Sequence, residues 1–279
     1  MTDFTTLQDD RTYLAEEVGN YIVYCCKADT WLDYYEVHFA DETINHVYNA
    51  LVEKGRISPE HGWRFLLRQA GTEDVTFASL KEIALDIIHA ACQHDRNFRQ
   101  TCVAVPTPRS TVLLETPGYR FIPDWRRQPT AKYSNQGIDS VNIGELKLED
   151  DKDGKNRRDN EMKSVSDANH LLYNDPRRTS VSGMTIEGCV LRLWHFNRSR
   201  IAKSVDIDLT KNPRALIIYL LFSMTASKEK LGFDKTIERI PIGNGVCFRI
   251  ELDGALYETI GPPLFDGTAF KLVGRATRV

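Results

Sequence analysis

The sequence predicts an α+β fold, helical at its N-terminal end and β-rich afterwards, from three features read along its 279 residues. Apolar residues recur every three or four positions through roughly the first hundred. After Pro106 and Pro108 they fall into short β-rich runs separated by Pro, Gly and Asn. Two later helical stripes, one polar and one almost wholly apolar, interrupt those runs.

Taken in order, Leu14, Val18, Tyr21, Ile22 and Cys25 fall on one helical stripe and Ile44, Val47, Tyr48, Leu51 and Val52 on a second, each after acidic residues that suit a helix N-terminus. Ser58 and Pro59 predict a third helix, with Ser as N-cap and Pro at the first helical position, carrying Trp63, Leu66 and Leu67 inward. The fourth is the clearest: Ser79 and Glu82 have capping-box spacing, and Leu80, Ile83, Ala84, Ile87, Ile88 and Ala91 repeat at the helical period. Strands are predicted at 111–115, 119–122 and 140–143, where β-branched and aromatic residues concentrate. The charged stretch 148–160 reads as a loop, and Met162, Val165, Asn169 and Leu172 as one face of a helix. Runs 181–186 and 190–196 read as strands joined at Glu187 and Gly188. Asn212 and Pro213 open a helix through Phe222 that is apolar enough to be buried on most sides, and runs 246–250 and 255–260 flank a turn at Asp253 and Gly254.

Composition narrows the class further. A 42% hydrophobic content can bury a core, and 17 Gly with 11 Pro argues against a disordered or collagenous chain. The net charge of −3 hides a split: residues 1–60 carry 12 acidic and 4 basic side chains, so the remainder holds the positive balance that could meet a polyanion. Six cysteines at irregular spacing, with no Cys-x-x-Cys, suit a reduced intracellular protein of cytoplasm or nucleus and indicate neither a disulfide framework nor a zinc module. The N-terminus lacks a basic, apolar signal, and the best apolar run, 215–222, is far shorter than the roughly 20 residues a bilayer span needs. No membrane association is expected.

The chemistry-bearing constellation is Pro123 and Asp124, a spacer of 20 residues (125–144), then Glu145, Leu146 and Lys147. On a strand the period of two places Glu145 and Lys147 on one face and Leu146 on the other, toward a core. If the neighbouring strands pair, Asp124 joins them. Two carboxylates with water and phosphate oxygens suit Mg²⁺ or Mn²⁺, which polarises a scissile phosphate, while Lys147 could orient the attacking water or stabilise developing charge. The chemistry implied is phosphodiester hydrolysis. Three alternatives stay open at this stage. Asp124 could simply begin a turn with Glu145 and Lys147 as an exposed charge pair; Asp150, Asp151 and Lys152 offer a competing acid-x-Lys; and Asp139 could serve as the first acid.

This arrangement of helix, strands, Pro-Asp, Gly-Glu-Leu-Lys, helix and strands resembles the PD-(D/E)xK nuclease superfamily over roughly residues 75–200. The resemblance implies a mixed central sheet flanked by helices, with Asp124 and Glu145 as metal ligands and Lys147 as the catalytic lysine. It also implies a glutamate on the preceding helix, for which Glu82 is the candidate and Glu115 the second choice. A more local resemblance, carried by Leu191 to Ser199, by Lys211, Asn212 and Pro213, and by Glu229 to Ile237, is to the fungal-type protein kinase family. There a Gly-Glu-(Phe/Leu)-Lys segment also occurs upstream, and the last residues from Gly274 are similar to the opening of a kinase Gly-rich loop, with Ala276 in place of a second Gly. The resemblance implies a kinase domain continuing in cis beyond residue 279 and no kinase activity in this chain. The layout is similar to that of fungal spore-killing meiotic-drive proteins, whose nuclease part is associated with toxicity.

The expected organisation is therefore a helical region over 1–75, serving regulation or homo-oligomer formation, a nuclease-like domain over 76–240, and a β-rich extension over 241–279. Arg177, Arg178, Arg192, Arg198, Arg200 and Lys203 belong to a stretch, 171–214, with eight basic and four acidic residues; they could bind a nucleic-acid backbone or simply sit on a solvated face. His89, Cys92 and His94 share a helix without a second cluster at ligand spacing, so ordinary helix side chains are expected there. Cys25 and Cys26 are expected as buried small hydrophobes, and Trp194 and Phe196 as core residues. The function expected is a Mg²⁺- or Mn²⁺-dependent nuclease acting on DNA. The alternative is a noncatalytic docking or regulatory module for a downstream kinase domain.

Overall fold

Helices cover both faces of one mixed sheet in a computed structural model that describes residues 22–67, 72–106, 123–129, 139–149, 153–242 and 245–260. The α+β expectation is correct. The six helices among these residues are α1 (Ala28–Tyr34), α2 (Asp41–Glu53), α3 (Arg64–Leu67), α4 (Glu73–His94), α5 (Lys155–Asn174) and α6 (Arg214–Thr225). The sheet is built from β1 (Ile22–Cys26), β4 (Cys102–Pro106), β5 (Trp125–Pro129), β6 (Ile143–Lys147), β7 (Ser180–Glu187), β8 (Val190–Asn197) and β9 (Ile201–Ser204) in the order β1-β9-β8-β7-β6-β5-β4, with β10 (Ile207–Asp208) paired to β8. The β1–β9 and β6–β7 pairs are parallel and the others antiparallel. A hairpin of β2 (Ile57–Ser58) and β3 (Gly62–Trp63), and a meander of β11 (Ile237–Ile242), β12 (Gly245–Leu252) and β13 (Ala255–Glu258), stand outside it.

Alternation along the strands divides the core. Ile143, Val181, Trp194, Phe196 and Ile201 point toward α5 and pack on Val165, Ala168, Leu171 and Leu172. Leu146, Met184, Ile186, Leu191 and Leu193 point the other way, against α4 and α6. On α4 the predicted stripe of Leu80, Ile83, Ala84, Ile87, Ile88 and Ala91 is buried, and each large aliphatic side chain contributes roughly 1.5–3 kcal/mol by leaving water. The α6 helix is buried nearly all round, as its composition predicts. No helix among the described residues is long and apolar enough to cross a membrane.

Four expectations are corrected. Residues Ile22–Cys26, expected to close the first helix, form β1, because a run of Ile, Val and Tyr favours an extended backbone and β9 supplies a partner edge. Ser58 and Pro59 lead into the β2–β3 hairpin, where Gly62 adopts φ +74° with Leu209 O only 2.6 Å from where a Cβ would lie; a single helical turn follows. Ser79 does not cap α4, which begins at Glu73 after Thr72; the Ser79 hydroxyl donates instead to Thr76 O at 2.9 Å inside the helix. The stretch expected as a loop over 148–160 becomes helical from Lys155, with Gly154 at φ +65° ahead of it. The expected strands 111–115 and 119–122 lie outside the described residues.

Candidate active site

The antiparallel ladder pairs Trp125 with Gly144 and Arg126 with Ile143, a register that sets Asp124 opposite Glu145. The predicted pair is brought together. The Asp124 amide donates to Glu145 Oε1 at 3.4 Å, and Asp124 Oδ2 accepts from the Leu146 amide at 3.1 Å. Gly144 lets the strands close, since a Cβ there would lie 3.2 Å from the Trp125 side chain. Lys147 shares the Glu145 face, as the period of two requires, and its ammonium lies 3.3 Å from Asp159 and 3.8 Å from Glu73.

The α5 helix closes the site from above that face. Asp159, Lys163 and Asp167 stand at i, i+4 and i+8 on one stripe. Lys163 meets Asp159 at 3.0 Å, and the Asp167 carboxyl makes a side-chain contact with Glu145. Glu145 is fully buried. Burial raises its carboxyl well above the usual range, Asp124 and Asp167 raise it further, and the Lys163 ammonium opposes them. Asp124 is also raised, by burial first, although the Leu146 amide and the ammoniums of Lys163 and Lys147 pull it down. Asp159, between two lysines, is held below its ordinary value despite its burial, chiefly by Lys163 and then by Lys147.

Sequence reasoning places the helix glutamate elsewhere. Glu82 is largely exposed and pairs with Arg56 at 3.1 Å, nine positions and about 13 Å further along α4 than Glu73. Glu73, in the first turn, is the one beside Lys147. Glu115 lies outside the described residues, as do Asp150, Asp151 and Lys152. Asp139 meets Arg239 at 3.2 Å and does not join the carboxylate pair. The residues missed, Glu73, Asp159, Lys163 and Asp167, sit on helices and not in the strand motif. The charged i, i+4, i+8 stripe was the available signal for the last three.

Of the residues expected on a nucleic-acid face, the structure buries Arg178, Arg192 and Lys203. Arg178 is fully buried, donates to the Ser140 and Val141 carbonyls, and lies 3.7 Å over the Phe233 ring; loss of solvation lowers its guanidinium to about 10. Arg192 is clamped between Glu187 and Asp206, and Lys203 is buried against Glu161. Arg177 pairs with Asp175 at 2.8 Å, and Arg198 donates to Leu172 O at 2.6 Å. Of the six, Arg200 is the exposed one. Five of the six are thus engaged by acids or carbonyls of the chain itself. His94 stacks on His46, with ring centroids 4.8 Å apart, and Cys92 faces Phe98 O, so that helix face shows no metal cluster among the described residues.

Could the carboxylate pair hold a divalent cation? Among the described residues no group of three or more His, Cys, Asp or Glu side chains is placed to hold a metal ion. Asp124 and Glu145 nevertheless fit the open half-shell that Mg²⁺ accepts, one or two carboxylates with the remaining positions left to water and phosphate. Glu145 Oε2 is buried without a hydrogen-bond donor, facing another carboxyl, which is the environment a cation relieves. Glu73 and Asp159 face the Lys147 ammonium, while Asp167 and Asp124 bear on Glu145, and among the described residues Lys147 and Lys163 are the ammoniums that act on these acids.

The family model described as fungal protein kinase matches residues 125–279, which takes in β5, β6, α5 and the strands and helix that follow. No curated protein and no solved structure matches the chain.

Proposed function

The chain belongs to the fungal protein kinase family, and on that premise we propose that its β5–β6–α5 unit is a divalent-metal-dependent phosphodiester hydrolase acting on DNA. The observation that carries this reading is the pairing of Asp124 with Glu145 across an antiparallel ladder, with Lys147 on the same face of the same strand. A Mg²⁺ or Mn²⁺ ion held by Asp124 and Glu145 would supply polarisation of the scissile phosphate. The chain's own residues do the rest. Lys147, oriented by Asp159 and Glu73, presents an ammonium to the reacting phosphate, where charge develops as the attacking oxygen closes. Lys155 and Arg158, exposed at the start of α5, offer sequence-independent contacts to a nucleic-acid backbone.

The test is cleavage of plasmid and linear DNA by purified protein with and without Mg²⁺ or Mn²⁺. Glu145→Gln and Lys147→Ala are each expected to lower the rate about 100-fold or more while the thermal melt still shows a folded protein. Cleavage by Lys147→Ala at the wild-type rate overturns the assignment of that lysine, and cleavage unaffected by chelator overturns the metal. Family membership, with most of the basic stretch used internally, favours one second reading: a noncatalytic module that docks on or restrains a kinase domain. It predicts no cleavage and no metal binding, together with association with that domain supplied separately.

A further inference from the structure

Arg127, on β5, is a buried cation without an acid. It is 0% exposed, and among the described residues no carboxylate meets it. Arg178, Arg192 and Lys203, buried likewise, each have one: Asp175 at 3.8 Å, Glu187 with Asp206, and Glu161. Burial lowers the Arg127 guanidinium only to about 10, so it keeps its charge at neutral pH. Its hydrogen bonds are lopsided too. Nη1 donates to the Ser223 hydroxyl on α6, whereas Nε and Nη2 have no partner. Those two nitrogens form one edge of the guanidinium, with N–H bonds side by side, the fork that receives two oxygens of one anion.

An acceptor stands close by. The Val141 amide donates to Arg127 O at 2.7 Å, and the next residue, Asn142, has its Nδ2 3.5 Å from the Tyr219 hydroxyl, one turn of α6 before Ser223. Asn142 Oδ1 is buried and has no donor. Ser182 is buried beside the same tyrosine. Unmet donors and an unmet acceptor thus face one turn of α6, on the side of the sheet opposite Glu145, which meets Asp167 of α5. A buried guanidinium with two nitrogens unmet is costly, and an anion seated in the fork removes the cost. A halide or a fully ionised carboxylate satisfies the fork but not Asn142 Oδ1. An oxyanion that keeps one O–H satisfies both.

We propose that the Nε–Nη2 edge of Arg127, with Asn142, Ser182 and the Tyr219–Ser223 turn of α6, is a binding site for a compact protonated oxyanion of the hydrogen phosphate class, held as a structural ion inside the fold. Two of its oxygens accept from Nε and Nη2, and its O–H donates to Asn142 Oδ1. The site is separate from the carboxylate pair and does not depend on any reaction there.

Equilibrium dialysis of the full chain with radiolabelled inorganic phosphate, and thermal melts at fixed ionic strength in phosphate, acetate or chloride, test it. Wild type is expected to hold about one phosphate per chain and to melt about 5 °C higher in saturating phosphate than in chloride or acetate. Arg127→Met is expected to lose both the binding and the shift. Asn142→Asp, nearly the same in shape, supplies a carboxylate from within; it is expected to lose phosphate binding and to melt higher than wild type in chloride. Absence of bound phosphate in wild type overturns the proposal. So does a phosphate shift of equal size in Arg127→Met, which is the general effect of an excluded salt. Acetate or chloride matching phosphate overturns the choice of oxyanion. Should Arg127→Met fail to fold, Asn142→Asp decides, and phosphate binding at the wild-type level by that variant overturns the site.

Discussion

His195 shows how a single side chain can set a pH response away from the candidate site. Its Nδ1 lies 2.6 Å from the Tyr35 hydroxyl, and its Nε2 lies 3.1 Å from Asn197 Nδ2. Asn197 Oδ1 already accepts from the Ser199 amide and hydroxyl and from the Arg200 amide. The amide nitrogen must therefore donate to Nε2, which assigns the imidazole proton to Nδ1. Burial lowers this imidazole to about 4, against 6.5 in an unfolded chain. Below pH 6.5 the unfolded state takes up a proton that the folded state refuses, so stability is lost as pH falls from 6.5 toward 4 and is unaffected above. At pH 5 the loss from this group is expected to be on the order of 2 kcal/mol. Glu187, raised by burial to about 7, acts in the opposite sense between its ordinary value of 4.5 and that point, so the comparison must be made between proteins. Denaturant melts at pH 7 and pH 5 should show a smaller fall for His195→Phe than for wild type; an identical fall would remove the assignment.

At the level of elements, turns that approach backbone closely are the most exacting positions. Gly232 has φ +85°, a Cβ there would lie 2.2 Å from Ser180 O, and its carbonyl accepts from the Thr179 amide at 2.9 Å, docking the chain after α6 onto the start of β7. Gly55 has φ +69° with open space around it. Gly232→Ala is therefore expected to cost about 3 kcal/mol or more, and Gly55→Ala only about 1 kcal/mol, measured by denaturant unfolding. Equal losses would show that φ alone matters.

The same scale explains which elements could be read from the sequence. The α4 stripe was legible because one face is buried and the other is not, and the Asn212–Pro213 start of α6 because Pro is tolerated there. The Asp253–Gly254 turn was legible because both residues take positive φ, 51° and 77°. Strand β1 was not, since Ile22–Cys26 is apolar without a break and matches helical and extended spacing alike. Strands β9, β10 and β11 were passed over for want of a turn signal or alternation that local reading could use. Within the site, Asp124, Glu145 and Lys147 were readable because one ladder and one strand period relate them. Lys163 and Glu73 were not, because only the packing of α5 and α4 on β6 brings them in.

For the whole molecule, the sheet is closed at one end by β1, whose residues pair in parallel with β9 from Ile22↔Ile201 onward. A chain beginning at Ala28 would leave the β9 edge unpaired. It is expected to unfold at lower temperature and to associate on size exclusion at concentrations where the full chain does not; an unchanged melt and elution would show that β1 contributes little. The β11–β13 meander has the opposite character, with Ile242, Leu252, Leu256 and Tyr257 exposed, and it is tied to the main body through Arg239 and Asp139.

The β1–β9 pairing also sets an order of events during synthesis. Ile22 leaves the ribosome about 180 residues before Ile201, its partner. At roughly 5–20 residues per second that separation is a wait of about 10–35 seconds. Throughout it the first strand has no edge to join, whereas the β5–β6 pair that aligns Asp124 with Glu145 needs only neighbouring chain. The partners that align Asp124 with Glu145 are thus both synthesised before the far edge of the sheet exists.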